Sequence, residues 1–157
     1  MPTIFKDKVQ TYHLITAILV ITCLIFLIIL MSQYTDKPIA LDNASKTVLA
    51  IILLLNVFIL ASFRELNIKV SDTHLIFGFM KFRKRILISK IKKIEFSEYK
   101  FQNYLGYGIR FGRDKTVGYV PRGGKGLVIT VAGQRRPYFF VTNRPEELKA
   151  ILEQRKK

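Results

Sequence analysis

The sequence predicts a membrane-anchored α+β protein. A two-helix transmembrane hairpin comes first, and a β-sandwich or β-barrel of about seven strands with a C-terminal helix follows. Three observations predict this. Residues 9–35 and 47–63 hold no Asp, Glu, Lys or Arg. Beyond Phe63 the apolar residues recur at every second position, as in half-buried strands. The last segment returns to helical spacing.

The first apolar run, YHLITAILVITCLIFLIILMS at 12–32, is apolar on every face, which leaves no water-facing stripe. A helix of about 21 residues rising ~1.5 Å each covers roughly 30 Å, the hydrocarbon thickness of a bilayer. Tyr12 and Tyr34 flank it, where amphipathic rings suit the headgroup level. As a signal peptide it is too long in its apolar core, and Met31-Ser32-Gln33 is a poor cleavage site. The second run, TVLAIILLLNVFILASF at 47–63, is short for a span, and a snorkelling Arg64 extends it.

Between the runs, Asp36-Lys37-Pro38 and Asp42-Asn43 are turn chemistry. Asn43-Ala44-Ser45 has the pattern of a glycosylation acceptor and reads as an ordinary turn beside the membrane. Of the 26 basic residues, 22 lie beyond Phe63. Positive charge stays on the cytoplasmic side of a membrane. The expected organisation is therefore a cytoplasmic N-terminus (1–11), a first transmembrane helix (12–33), an external loop (34–46), a second transmembrane helix (47–63) and a cytoplasmic domain (64–157). Both termini face the cytoplasm, and the chain is a two-span protein of the cell inner (plasma) membrane.

Polar side chains within the spans are few. Asn56 lies mid-way along the second, with Thr16, Thr22 and Cys23 on the first. An amide in lipid seeks a hydrogen bond, so Asn56 and Thr22 are expected to meet across the helix pair. The alternative is a small transporter or channel subunit acting through the hairpin, with Asn56 at its site. Cys23 is the sole cysteine, so no disulfide framework is available.

In the domain, Leu66, Ile68 and Val70 alternate with polar residues, and Ser71-Asp72-Thr73 turns the chain. Strands are expected at 74–80 and 82–88, and the apolar pattern continues through Ile91, Ile94 and Phe96. Further strands follow at 109–111, 116–120, 127–131 and 136–142, separated by glycine and proline turns. Asn143 and Glu146 have the spacing of a capping box. Leu148, Ile151 and Leu152 form the buried stripe of a final helix. Arg155, Lys156 and Lys157 suit its negative end.

Several segments resemble the bacterial pleckstrin-homology-like domains of small membrane proteins. They are LNIKVSD at 66–72, ISKIKKI at 88–94, GYGIRFG at 106–112, GKGLVI at 124–129 and VTNRPEEL at 141–148. The resemblance covers roughly residues 63–154. It implies a seven-stranded fold with a C-terminal helix, membrane spans ahead of it, and a binding or scaffolding module rather than a catalyst.

No motif carries catalysis. The run from Gly118 to Gly126 puts five residues before Gly124-Lys125, where a phosphate loop needs four, and Gly126 stands where Ser or Thr is needed. Gly106, Gly108 and Gly112 miss the dinucleotide spacing by one residue. His13, His74 and Cys23 match no zinc pattern. Glu95 and Glu98 are three apart in a strand and point to opposite faces. No catalytic residue, cofactor or metal is expected, and the chain reads as non-enzymatic.

The basic residues are the richest signal, in a chain of 157 residues with a formal charge of +15. Lys81, Arg83 and Arg85 share one strand face, and Lys90, Lys92 and Lys93 follow. These six are the expected contacts to anionic lipid, where each charge gains about 1 kcal/mol. The expected partners are the membrane, an anionic phospholipid surface, and a membrane protein or a second copy of the chain. Nucleic acid is not expected. It would need Tyr99, Phe101 and Tyr104 to stack bases beside Lys100, and those rings suit a barrel wall equally well. The reading is an accessory or scaffold protein whose basic domain rests on the inner leaflet and binds a protein partner or a lipid headgroup.

Overall fold

The computed structural model describes residues 3–35 and 41–156. The Asp36-Lys37-Pro38 turn and Lys157 lie outside them. The chain divides into two compact units. Residues 13–62 form one, and residues 1–12 with 63–157 form the other.

The smaller unit is a helix pair, α1 (His13–Ser32) and α2 (Asn43–Ser62). Each is long and apolar enough to cross a membrane. Their partly covered positions follow a heptad: Ile15, Leu19, Thr22, Phe26 and Ile29 on α1, with Lys46, Leu49, Leu53, Asn56 and Leu60 on α2. Spacing of three and four keeps one seam facing the partner helix. The remaining surface, including Ile18, Leu24, Ile28, Leu54 and Phe58, is apolar and exposed. Asp42 starts α2, its carboxylate accepting from the Ser45 amide at 3.3 Å. The helix thus begins four residues before the apolar run, and Asn43 and Ser45 lie within it.

The larger unit contains β1 (Thr3–Gln10), β2 (Glu65–Ser71), β3 (His74–Phe79) and β4 (Arg83–Leu87) in one sheet, paired in that order. A 3-10 turn over Ile88–Lys90 leads to β5 (Ile91–Glu98). The short helix α3 (Phe101–Tyr104) precedes β6 (Gly108–Phe111), β7 (Val117–Val120), β8 (Lys125–Val131) and β9 (Tyr138–Val141). These five strands form a second sheet in the order β5-β8-β9-β7-β6, with β7 and β9 parallel. Helix α4 (Pro145–Lys156) ends the chain, with Leu148 and Leu152 buried.

Two expectations change. There are nine strands among the described residues, and the sheets do not close into a barrel. At the 3-10 corner the chain leaves β4, and β5 pairs with β8 instead. The added strand is β1. Its buried face is Phe5, Asp7 and Val9, so an aspartate interrupts the apolar alternation that reveals a strand.

The core lies between the sheets. Phe77 of the first sheet meets Phe140 at 4.6 Å, Tyr119 at 5.1 Å and Tyr138 at 5.7 Å between ring centroids. Strand β9 is buried on both faces, because Phe139 points the other way and stacks on Tyr104 at 5.3 Å. Glycines permit two close approaches. Gly78 has φ +146°, and a Cβ there would lie 2.2 Å from the Phe82 carbonyl oxygen. At Gly126 it would lie 2.1 Å from the Phe140 oxygen.

Candidate functional site

The basic run divides between the two sheets. On β4, Arg83, Arg85 and Leu87 are exposed, while Ile86 points into the core. Lys84 shares the inner face, its ammonium 5.4 Å from the Tyr138 ring centroid. Arg85 approaches His74 Nδ1 at 3.4 Å. Lys81 lies in the turn between β3 and β4. Lys90 ends the 3-10 turn, and Lys92 and Lys93 begin β5 in the other sheet. Lys93 pairs with Glu95 at 2.8 Å, and the Lys92 carbonyl accepts from Lys156 Nζ. The six residues are exposed, in two groups of three on either side of the corner.

A cleft of about 320 Å³ opens where residues 122–125 meet the start of α4. Arg122, Lys125, Asn143 and Glu146 are among its lining residues. Arg122 donates to Asn143 Oδ1 at 2.6 Å. The glycine run that fails as a phosphate loop is part of this wall. Two cations and one carboxylate can hold a small polar group.

Asn143 does not cap α4. The helix begins at Pro145, and the Arg144 amide donates to Thr142 Oγ1 at 3.3 Å. Asn143 turns instead to β1, donating through Nδ2 to Asp7 Oδ1 at 2.9 Å and to the Lys8 carbonyl at 3.0 Å. Asp7 also accepts from Thr142 Oγ1 at 2.6 Å and from the Asn143 amide at 2.8 Å. Burial alone would raise the Asp7 pKa, but the hydrogen bonds from Thr142 and Asn143 outweigh it and hold the carboxyl below its ordinary value. Arg144 extends the clamp, donating to the Lys6 carbonyl at 2.6 Å with its guanidinium 4.5 Å from the Phe5 ring centroid.

The aromatics near Lys100 are mostly engaged inside the domain. Tyr99 stacks between Tyr104 and Tyr107 at 5.8 and 5.4 Å, and its hydroxyl donates to the Gly106 carbonyl at 3.1 Å. The Tyr104 hydroxyl lies 2.7 Å from Thr116 Oγ1. Thr116 donates its own hydrogen to Asp114 at 2.6 Å, so Tyr104 is the donor to Thr116. Burial pushes the Tyr104 pKa up to about 12. Phe101 is exposed.

In the helix pair, Thr22 Oγ1 donates to the Ile18 carbonyl of its own helix at 2.7 Å. The hydrogen bond expected between Thr22 and Asn56 therefore has a local competitor. Asn56 Oδ1 is buried without a hydrogen-bond partner among the described residues. No group of three or more metal-ligating side chains occurs among the described residues. No protein-family model, curated protein or solved structure matches the chain.

Proposed function

We propose that this chain is a non-enzymatic, membrane-anchored accessory or scaffold protein. Its hairpin crosses the bilayer twice, and its β domain, of pleckstrin-homology-like type, rests on the anionic inner leaflet. The observation that carries this reading is the pairing of β1 with β2. These adjacent antiparallel strands are separated in sequence only by the apolar hairpin, and the Thr11 amide donates to the Arg64 carbonyl at 3.0 Å. Whatever side of a membrane holds β1 must also hold β2, so an apolar insertion of this length crosses an even number of times. Both termini then share one side. The excess of Lys and Arg supports the cytoplasm as that side.

The pleckstrin-homology-like reading is supported by two face-packed sheets with a docked C-terminal helix and by the segments that carry the resemblance. The exposed Lys81, Arg83 and Arg85 support contact with acidic headgroups. Alkaline carbonate extraction of membranes containing the full chain tests the anchor. The protein should stay in the pellet. Release into the supernatant would make it a peripheral protein and overturn the reading.

A further inference from the structure

The larger unit has one end from which the chain leaves at Tyr12 and to which it returns at Phe63. Loops of both sheets gather there. Phe63 stacks on Phe82 at 5.6 Å, and a Cβ at Gly108 would lie 3.8 Å from the Phe63 ring. Tyr12 stacks on Tyr107 at 6.2 Å, and its amide donates to the Pro121 carbonyl at 3.1 Å. Around these anchors the surface is apolar. Met80 is 49% exposed, Phe82 42%, and Leu105 60%. Basic side chains of the same segments are exposed: Arg64 follows Phe63, and Lys81 and Arg83 flank Phe82.

Leu105 is the most telling residue of this rim. Its φ is +53°, in the left-handed region, and Gly106 follows at φ +140°. A leucine there is strained, because Cβ crowds the following carbonyl, whereas Asn or Gly would be accommodated. It is also exposed, so no core packing accounts for the choice.

We propose that this rim, with Met80, Phe82 and Leu105 as wedges and Lys81 and Arg83 as headgroup contacts, inserts into the interfacial layer of an anionic bilayer. The inference rests on the membrane reading and deepens it by naming the face that meets lipid. Apolar side chains interleaved with cations suit the boundary between acyl chains and acidic headgroups. The chain's own continuation from Tyr12 and Phe63 into apolar helices commits this end to the membrane. The outward face of β4 at Arg85 and the corner lysines are then peripheral contacts.

The chain contains no tryptophan, so single-Trp variants report on single sites. Phe82→Trp and Leu105→Trp probe the rim, Leu87→Trp the opposite end of β4, and Leu54→Trp the hairpin. The full chain is reconstituted into vesicles of phosphatidylcholine with phosphatidylglycerol, carrying lipids brominated at shallow or deep acyl positions. Phe82→Trp and Leu105→Trp should emit blue-shifted and be quenched by shallow bromines. Leu54→Trp should be quenched by deep bromines, and Leu87→Trp by neither. Adding Lys81→Glu and Arg83→Glu should reduce quenching of Phe82→Trp. Rim reporters that behave like Leu87→Trp, while Leu54→Trp is quenched, would overturn the rim proposal and leave the anchor standing. So would a rim blue shift that depends on protein concentration without bromine quenching, since a second copy would then cover the face. An unquenched Leu54→Trp would overturn the membrane reading itself.

Discussion

Asp7 is a carboxylate 6% exposed among apolar neighbours, and it stays ionised because three donors from Thr142 and Asn143 surround it. Replacing it with Ala takes the acceptor from the buried Thr142 hydroxyl and from the Asn143 amide, which costs about 1–3 kcal/mol. Urea titration of the detergent-solubilised Asp7→Ala variant at pH 7 checks that loss. The pH dependence has a definite sign. A folded-state pKa lowered below the unfolded value of about 3.9 means the contribution is fully present above that value and is lost as pH falls through the folded pKa. The wild type should therefore lose the difference from Asp7→Ala in strongly acidic buffer. Gly78 is the second residue on which the domain turns. Gly78→Ala places a methyl against the Phe82 backbone and forces a left-handed φ on alanine, for a cost of about 1–3 kcal/mol by thermal melting. Leu105→Asn should melt at or above the wild-type temperature, since Asn tolerates the left-handed region. Neither Asp7 nor Leu105 was legible in the sequence. An aspartate between lysines reads as a solvated flank, and a strained φ leaves no trace in residue type when the residue is leucine.

At the scale of elements, the alternation of Leu66, Ile68 and Val70 located β2 because one face is fully buried. Of Lys81, Arg83 and Arg85, expected on one strand face, β4 carries Arg83 and Arg85, and Lys81 lies in the turn before it. Periodicity did not show that the chain turns a corner at residues 88–90, which puts Lys92 and Lys93 on β5 in the second sheet. Strand β1 was missed because its inner face carries Asp7. The capping box at Asn143 and Glu146 was misread because a distant partner, Asp7, competes for the Asn143 amide. In the hairpin, Asn56 occupies a seam position with its carbonyl oxygen unsatisfied among the described residues. Asn56→Leu removes a buried orphan acceptor and should raise hairpin stability by about 1 kcal/mol, measured by thermal denaturation in detergent. A cellular function abolished by Asn56→Leu while stability holds would favour a transport role over a structural one.

At the scale of the molecule, the hairpin is an insertion between two paired strands. Removing residues 13–62 and joining Tyr12 to Phe63 through an Asn-Gly turn should give a water-soluble, folded β protein, because the ends of β1 and β2 are already hydrogen-bonded. Residues 64–157 alone should be less stable than this variant. They lack β1, expose the edge of β2 and leave Thr142 and Asn143 without their carboxylate. Side-by-side urea titrations make the comparison. The overall class, two apolar helices with sheets and a terminal helix, was readable from hydropathy and period. Barrel closure was not, because it depends on which edge strands meet, and β5 pairs with β8 across a long stretch of sequence.

The most direct measurement is accessibility of single cysteines in intact and permeabilised cells, in a Cys23→Ser background. A cysteine replacing Asp42 should react with an impermeant maleimide from outside the cell. Cysteines replacing Lys6 and Lys149 should react only after permeabilisation. Labelling of all three from one side, or of Lys6 and Lys149 from opposite sides, would contradict a hairpin that spans the membrane twice and returns to a single β domain.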